Sequence, residues 1–74
     1  MHHFSYHGDH ITLGQFLKAS NLVQSGGEAK TILIMGAVMV NDATETRRGR
    51  KLRHGDVVRF GRDVWQISSA SSAL

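Results

Sequence analysis

The chain has 74 residues, 41% of them hydrophobic and 20% charged, with no proline and no cysteine. So short a chain holds one domain and buries only about 60% of its unfolded surface, which demands an economical core. The composition excludes a disordered chain, the missing thiols exclude a disulfide scaffold or a thiolate zinc site, and no apolar run approaches the ~20 residues that span a bilayer.

A cytoplasmic protein with no membrane contact is therefore expected, and the polar, His-rich first residues do not resemble a secretory signal. The net charge of +3 is unevenly spread. Between Thr44 and Arg62 seven basic residues face only Glu45 and Asp56, whereas the rest of the chain sets Lys18 and Lys30 against four acids. Such asymmetry marks a polyanion-binding surface.

Residues 1–10 have no usable periodicity and are expected to be a flexible lead-in. Leu13, Phe16 and Leu17 then fall at i, i+3 and i+4, one apolar face of a short helix that Thr12 can cap and Ser20-Asn21 can end. Ser25 and Glu28 have the spacing of a capping box, which predicts a second helix from Gly26 to Met35. Its apolar positions are Ala29, Ile32, Leu33 and Met35, and Gly36 is a left-handed stop.

Extended segments follow. Ala37–Val40 is rich in strand formers, Asn41-Asp42 suits a tight hairpin turn, and Thr44–Thr46 returns antiparallel. A second pair runs through Asp56–Phe60, a turn at Gly61–Asp63, and Val64–Ile67, with a flexible tail over 68–74. No internal repeat is present. The order predicts an α+β domain over 11–67: two short helices packed on a small, mainly antiparallel sheet.

The run Arg47-Arg48-Gly49-Arg50-Lys51-Leu52-Arg53 is the strongest functional signal. Arginine's planar fork engages phosphate in a bidentate way and stacks on bases, and Gly49 allows close backbone approach. A solvated loop or edge kept soluble by charge is the plainer reading of the same residues. Ser25-Gly26-Gly27 presents free N–H groups at the positive end of a helix, where phosphate can sit, with Lys30 one turn further on. Ordinary capping explains that feature as well, and its functional weight depends on whether Lys18, Lys30 and the arginine run share a face.

His2, His3, His7, His10 and His54 lack the arrangement of a built metal site, so no metal and no cofactor are expected. No catalytic set is recognisable either: there is no cysteine nucleophile, phosphate-binding loop or metalloprotease motif. Trp65 and Phe60 could stack on bases but are expected to pack in the core.

Four blocks in order, Leu13-Gly14-Gln15-Phe16-Leu17-Lys18, Ser25-Gly26-Gly27-Glu28-Ala29-Lys30, Gly36-Ala37-Val38-Met39-Val40-Asn41 and His54-Gly55-Asp56-Val57-Val58, resemble the S-four RNA-binding domain, the αL motif. The resemblance covers about residues 11–60. The stretch from Glu45 to Leu52 further resembles a branch of small stand-alone bacterial proteins built from this domain, the YaaA-like group.

The resemblance implies non-catalytic binding of structured RNA, ribosomal or transfer RNA, by a ribosome-associated protein. The two-helix face and nearby strand loops would make the contact, with Ser25, Gly26 and Lys30 at the family's RNA-facing positions. Two positions depart from the family pattern. Thr12-Leu13-Gly14 stands where Arg-Leu-Asp is common, and Gly26-Gly27 replaces the arginine of Ser-Arg-Ser-Glu. The expected RNA-binding set is Lys18, Ser25, Gly26, Lys30, Arg47, Arg48, Arg50, Lys51 and Arg53, the arginine run compensating for the missing helix contact. An adaptor docking an acidic protein partner, or a generic duplex-DNA binder, remains open on the charge pattern alone.

Overall fold

Both helices begin where a hydroxyl takes a free backbone N–H. In α1 (Leu13–Ala19) the Gln15 N–H donates to Thr12 Oγ1 at 3.2 Å, and the Thr12 N–H donates to Gln15 Oε1 at 3.0 Å, a complete capping box. In α2 (Gly26–Ile34) Ser25 Oγ accepts the Glu28 N–H at 3.1 Å.

Both also end alike. Asn21 (φ 63°) and Gly36 (φ 75°) adopt the left-handed conformation, and the N–H groups of the residues after them, Leu22 and Ala37, reach back to the carbonyls of Leu17 and Ile32. The second helix stops at Ile34, and Met35 is its cap rather than its last turn. Ala29 and Leu33 are fully buried and Ile32 is half-buried, but Met35 is 74% exposed. Six residues beyond Ala29, at about 100° each, Met35 has rotated off the apolar stripe.

The computed structural model describes residues 1–70. Its main sheet has five strands in the order β1 (His2–Tyr6), β7 (Asp63–Ser69), β6 (Val57–Phe60), β3 (Val38–Val40) and β4 (Ala43–Thr44). Strands β3 (Val38–Val40) and β4 (Ala43–Thr44) form a hairpin through Asn41 and Asp42, both at positive φ, as a two-residue turn requires. Strands β6 (Val57–Phe60) and β7 (Asp63–Ser69) form the second hairpin, turning at Gly61-Arg62 with Gly61 at φ 62°. The two hairpins join antiparallel, Val38 opposite Phe60 and Val40 opposite Val58. This is the expected α+β architecture.

The first strand was not expected. Residues 2–6 of the predicted lead-in form β1 (His2–Tyr6), parallel to β7 with Phe4 opposite Ile67. Tyr6 is buried and Phe4 packs against the core, while His3 and Ser5 are exposed. Two inward residues are too few to show a period in a sequence, and the pairing partner lies some sixty residues away. At the other end, Ser68 and Ser69 of the predicted tail belong to β7, and its residues from 71 onward lie outside the described residues.

A two-stranded ribbon completes the fold: β2 (Ile11–Thr12) runs antiparallel to β5 (Lys51–Leu52), with Ile11 opposite Leu52 and Thr12 opposite Lys51. It ties the end of the arginine run to the residues that open α1. The core between helices and sheet contains Leu13, Phe16 and Leu17 from α1, Leu33 from α2, and Val38, Val58 and Ile67 from the sheet, all fully buried. Phe4 and Trp65 meet the Phe16 ring edge-on, with centroids at 5.1 and 5.6 Å. Trp65 and Phe60 therefore pack against the core, as expected. No helix among the described residues is long and apolar enough to cross a membrane.

Because β1 covers Ile67 and Trp65, deleting residues 1–7 is expected to lower the thermal midpoint by roughly 10 °C or more. The Trp65 emission should shift to the red. An unchanged melting curve would show that β1 adds nothing to the domain.

Candidate nucleic-acid interface

The arginine run is organised by an acid. After β4 the chain leaves the sheet with the Glu45 N–H donating to the Val38 carbonyl at 3.0 Å, and Glu45 is left only 6% exposed. A buried carboxylate is tolerated when it is paired and its lone pairs are filled. Glu45 Oε2 accepts from the N–H groups of Thr46 and Arg47, both at 3.1 Å, and from Arg47 Nε at 3.2 Å. Its Oε1 accepts from Arg47 Nη2 at 3.2 Å and Arg50 Nη1 at 2.9 Å. The hydrogen bonds from Arg47, and next those from Arg50, outweigh burial and hold the carboxyl well below the usual range, at about 2.

The same loop is fastened to α1. The Leu13 N–H donates to the Arg50 carbonyl at 2.8 Å and the Gly14 N–H to the Arg48 carbonyl at 2.9 Å. With Thr12 Oγ1 serving Gln15, the first three N–H groups of α1 all have protein acceptors. Gly14 permits this crossing: a Cβ there would lie 2.5 Å from Arg48 Cγ and 3.3 Å from its carbonyl oxygen. The departure from Arg-Leu-Asp at this position makes room for the loop.

Across the loop lies the start of α2, where Arg48 Nη1 stands 3.5 Å from the Gly26 carbonyl oxygen. A cleft of about 290 Å³ opens between the two helix starts and the loop, lined by Thr12, Gly14, Gln15, Lys18, Gly26, Arg48 and Gly49. Lys18, Gly26 and Arg48, three of the residues picked out by sequence, thus share one cleft. Ser25 caps α2 beside it, and Lys30 is exposed one turn beyond Gly26. Lys51 is exposed on β5 next to Thr12, and Arg53 is exposed where its backbone N–H meets Asp56 Oδ2 at 2.9 Å.

Arg47 and Arg50 differ from the others because their guanidinium groups are engaged by Glu45. Arg59 and Arg62 stand apart: Arg59 is exposed on β6 between inward-facing Val58 and Phe60, and Arg62 is in the β6–β7 turn. Sequence reasoning missed Glu45 as a site residue. The available signal was a lone glutamate heading the arginine run, with arginines two and five positions on.

The fourth block of the motif is a structural turn. Gly55 (φ 94°) donates to the Ile67 carbonyl, and Asn41 bridges Asp56 and Val57 through its side-chain amide. His54 Nδ1 accepts the Ser69 N–H at 3.1 Å, which places its neutral-state proton on Nε2. Among the described residues no three His, Asp or Glu side chains converge as metal ligands would.

A family model described as "S4 domain" matches residues 4–68. The chain belongs to the S4 domain family. The S4 match begins inside β1, which agrees with that strand being an integral part of the sheet. The chain is also 60% identical over 48 residues, 65% of its own length and 68% of the other, to the "Probable ribosome maturation protein RlbA" of Bacillus subtilis (strain 168). The resemblance to the S-four RNA-binding module read from the sequence is thereby confirmed.

Two outcomes follow for this S4 domain. Glu45 has a folded-state pKa depressed from 4.5 to about 2, so its contribution to stability is complete above about pH 4.5 and is lost as pH falls toward 2. The stability gap between wild type and Glu45→Gln, followed by thermal melts against pH, should therefore be constant near neutrality and narrow through that acid window. A pH-independent gap would contradict the ion-pair assignment. Separately, alanine in place of a helical glycine ordinarily gains up to about 1 kcal/mol. Gly27→Ala, which meets only Ser25 Oγ at 3.9 Å, should gain part of this, while Gly14→Ala should lower the melting midpoint.

Proposed function

We propose that this S4 domain binds structured RNA without catalysis, in a bacterial cytoplasm, and that its target is ribosomal RNA rather than transfer RNA. The observation that carries the reading is the cleft in which Lys18 and Arg48 meet the start of α2 at Gly26. In this reading Lys30, Lys51 and Arg53 add to the basic surface, and none of these five cations is in an ion pair among the described residues. Ser25 and Gly26 keep the helix start open to a phosphate, and Arg47 and Arg50 contribute by shaping the loop. Family membership supports RNA as the ligand, and the name of the Bacillus subtilis relative supports a role in ribosome maturation.

The physics favours duplex or hairpin RNA. An A-form helix presents phosphates and 2′-hydroxyls along its wide, shallow minor groove while its deep major groove hides the bases, so recognition rests on shape and backbone. Affinity should then fall steeply with salt, each phosphate contact adding about −0.9 to the logarithmic slope. Replacing the whole arginine run would be a poor test, because removing Arg47 and Arg50 together takes both guanidinium partners from the Glu45 carboxylate. Arg48, Lys18 and Lys30 can be replaced without that side effect.

Fluorescence anisotropy with an RNA hairpin and a matched DNA duplex, across a salt series, tests the proposal. Tighter binding to the hairpin is expected, with Arg48→Ala and Lys30→Ala each flattening the salt slope by about one. Equal binding to both nucleic acids would reduce the surface to a generic polyanion site. An absence of binding to either at low salt would reject the RNA reading in favour of an acidic protein partner docked on the arginine loop.

A further inference from the structure

We infer that Glu45 is a positioning residue for RNA recognition: its buried carboxylate, gripped by Arg47 and Arg50, holds Arg48 over the starts of both helices, so removing this negative charge weakens RNA binding. The inference rests on the RNA reading of the surface. Its sign is opposite to simple electrostatics, in which deleting an acid beside a polyanion site strengthens binding.

The geometry gives the reason. Glu45 receives two backbone N–H groups and two guanidinium groups, all from residues 46–50. Arg48 lies between the two arginines that Glu45 holds, and its carbonyl is fixed by the Gly14 N–H. The loop is therefore pinned at two places, at the buried acid and at the first turn of α1, and the Arg48 side chain projects from between them into the cleft. A cation ordered before its ligand arrives loses less conformational freedom on binding than one on a free loop. Without the carboxylate, Arg47 and Arg50 would lose their common anchor and repel one another across the loop.

Among the described residues no other acid forms an ion pair with an arginine. Asp42 is exposed in the β3–β4 turn, and Glu28 is exposed in the first turn of α2. Both ion-paired arginines of the described residues go to Glu45. Asp42→Asn is thus the matched control: it removes one negative charge from an exposed turn, and asparagine tolerates the left-handed backbone found there (φ 69°).

The test uses the full chain, a fluorescein-labelled RNA hairpin and anisotropy over a salt series, at a temperature below every variant's melting midpoint. Glu45→Gln should bind about tenfold more weakly with a salt slope smaller by about one, the loss of one well-placed phosphate contact. Asp42→Asn should bind as wild type or slightly more tightly. The Glu45→Gln/Arg48→Ala double variant should match Arg48→Ala within about a factor of two, because both changes remove the same contact. Should Glu45→Gln fail to fold, Glu45→Asp, which keeps the charge but withdraws it from its donors, should still weaken binding about threefold.

Binding by Glu45→Gln or Glu45→Asp as tight as wild type, or additive effects in the double variant, would overturn the positioning role while leaving RNA binding intact. A wild-type protein that ignores the hairpin would instead overturn the RNA reading, and this inference with it.

Discussion

The first turn of α1 and the arginine loop satisfy each other's backbone, and much of the molecule is arranged around that exchange. Leu13 and Gly14 are buried, so their N–H groups cannot turn to water, and an unpaired buried N–H costs about as much as a lost hydrogen bond. The carbonyls of Arg50 and Arg48 take them. The helix that supplies Leu13, Phe16 and Leu17 to the centre of the core thus needs the loop, and the loop can lie there only because position 14 has no side chain. The β2–β5 ribbon extends the same contact from the other end, pairing Thr12 with Lys51. Core and charged surface are consequently one cooperative unit, and damage to the loop is expected to be felt by the fold.

Charge counting overstates how much of the basic stretch is available to a ligand. Of the seven cations between Thr44 and Arg62, Arg47 and Arg50 are committed to Glu45, and Arg59 and Arg62 lie outside the loop. Arg48, Lys51 and Arg53 remain, joined by Lys18 and Lys30 from the helices. What the stretch loses in number it gains in placement, because the buried Glu45 carboxylate takes the backbone N–H groups of Thr46 and Arg47 as well as two guanidinium groups. A long-range field depends on net charge, whereas a contact depends on where individual forks and ammonium groups stand.

The parts of this structure that were legible in the sequence are those written in local chemistry. Thr12, Ser25 and Gly36 mark helix ends through bonds spanning a few residues, and the Asn41-Asp42 and Gly61 turns announce themselves by the conformations they must adopt. The convergence of Lys18, Gly26 and Arg48 was a conditional expectation that needed the tertiary structure to be met. What escaped was non-local. β1 pairs with a strand at the far end of the chain, β2 and β5 are two residues each, and Glu45 resembles any solvated acid until the Val38 carbonyl draws it under the loop. The spacing of Ser25 and Glu28 predicts a capping box in α2, while the complete box forms in α1 with glutamine.

The two departures from the family pattern turn out to be different in kind. At Gly14 a side chain would collide with Arg48, so the absence of an acid there is a steric condition for the loop's path. At Gly26 a Cβ would meet Arg48 Nη1 at 3.5 Å, an ordinary contact, so the fold does not demand glycine. The small residue there leaves the start of α2 accessible from the cleft, beside a guanidinium that comes from the loop. Arg48 reaches the neighbouring ground from a loop fastened on both sides, and the cation gains its rigidity from Glu45 and Gly14, residues that need never touch the ligand.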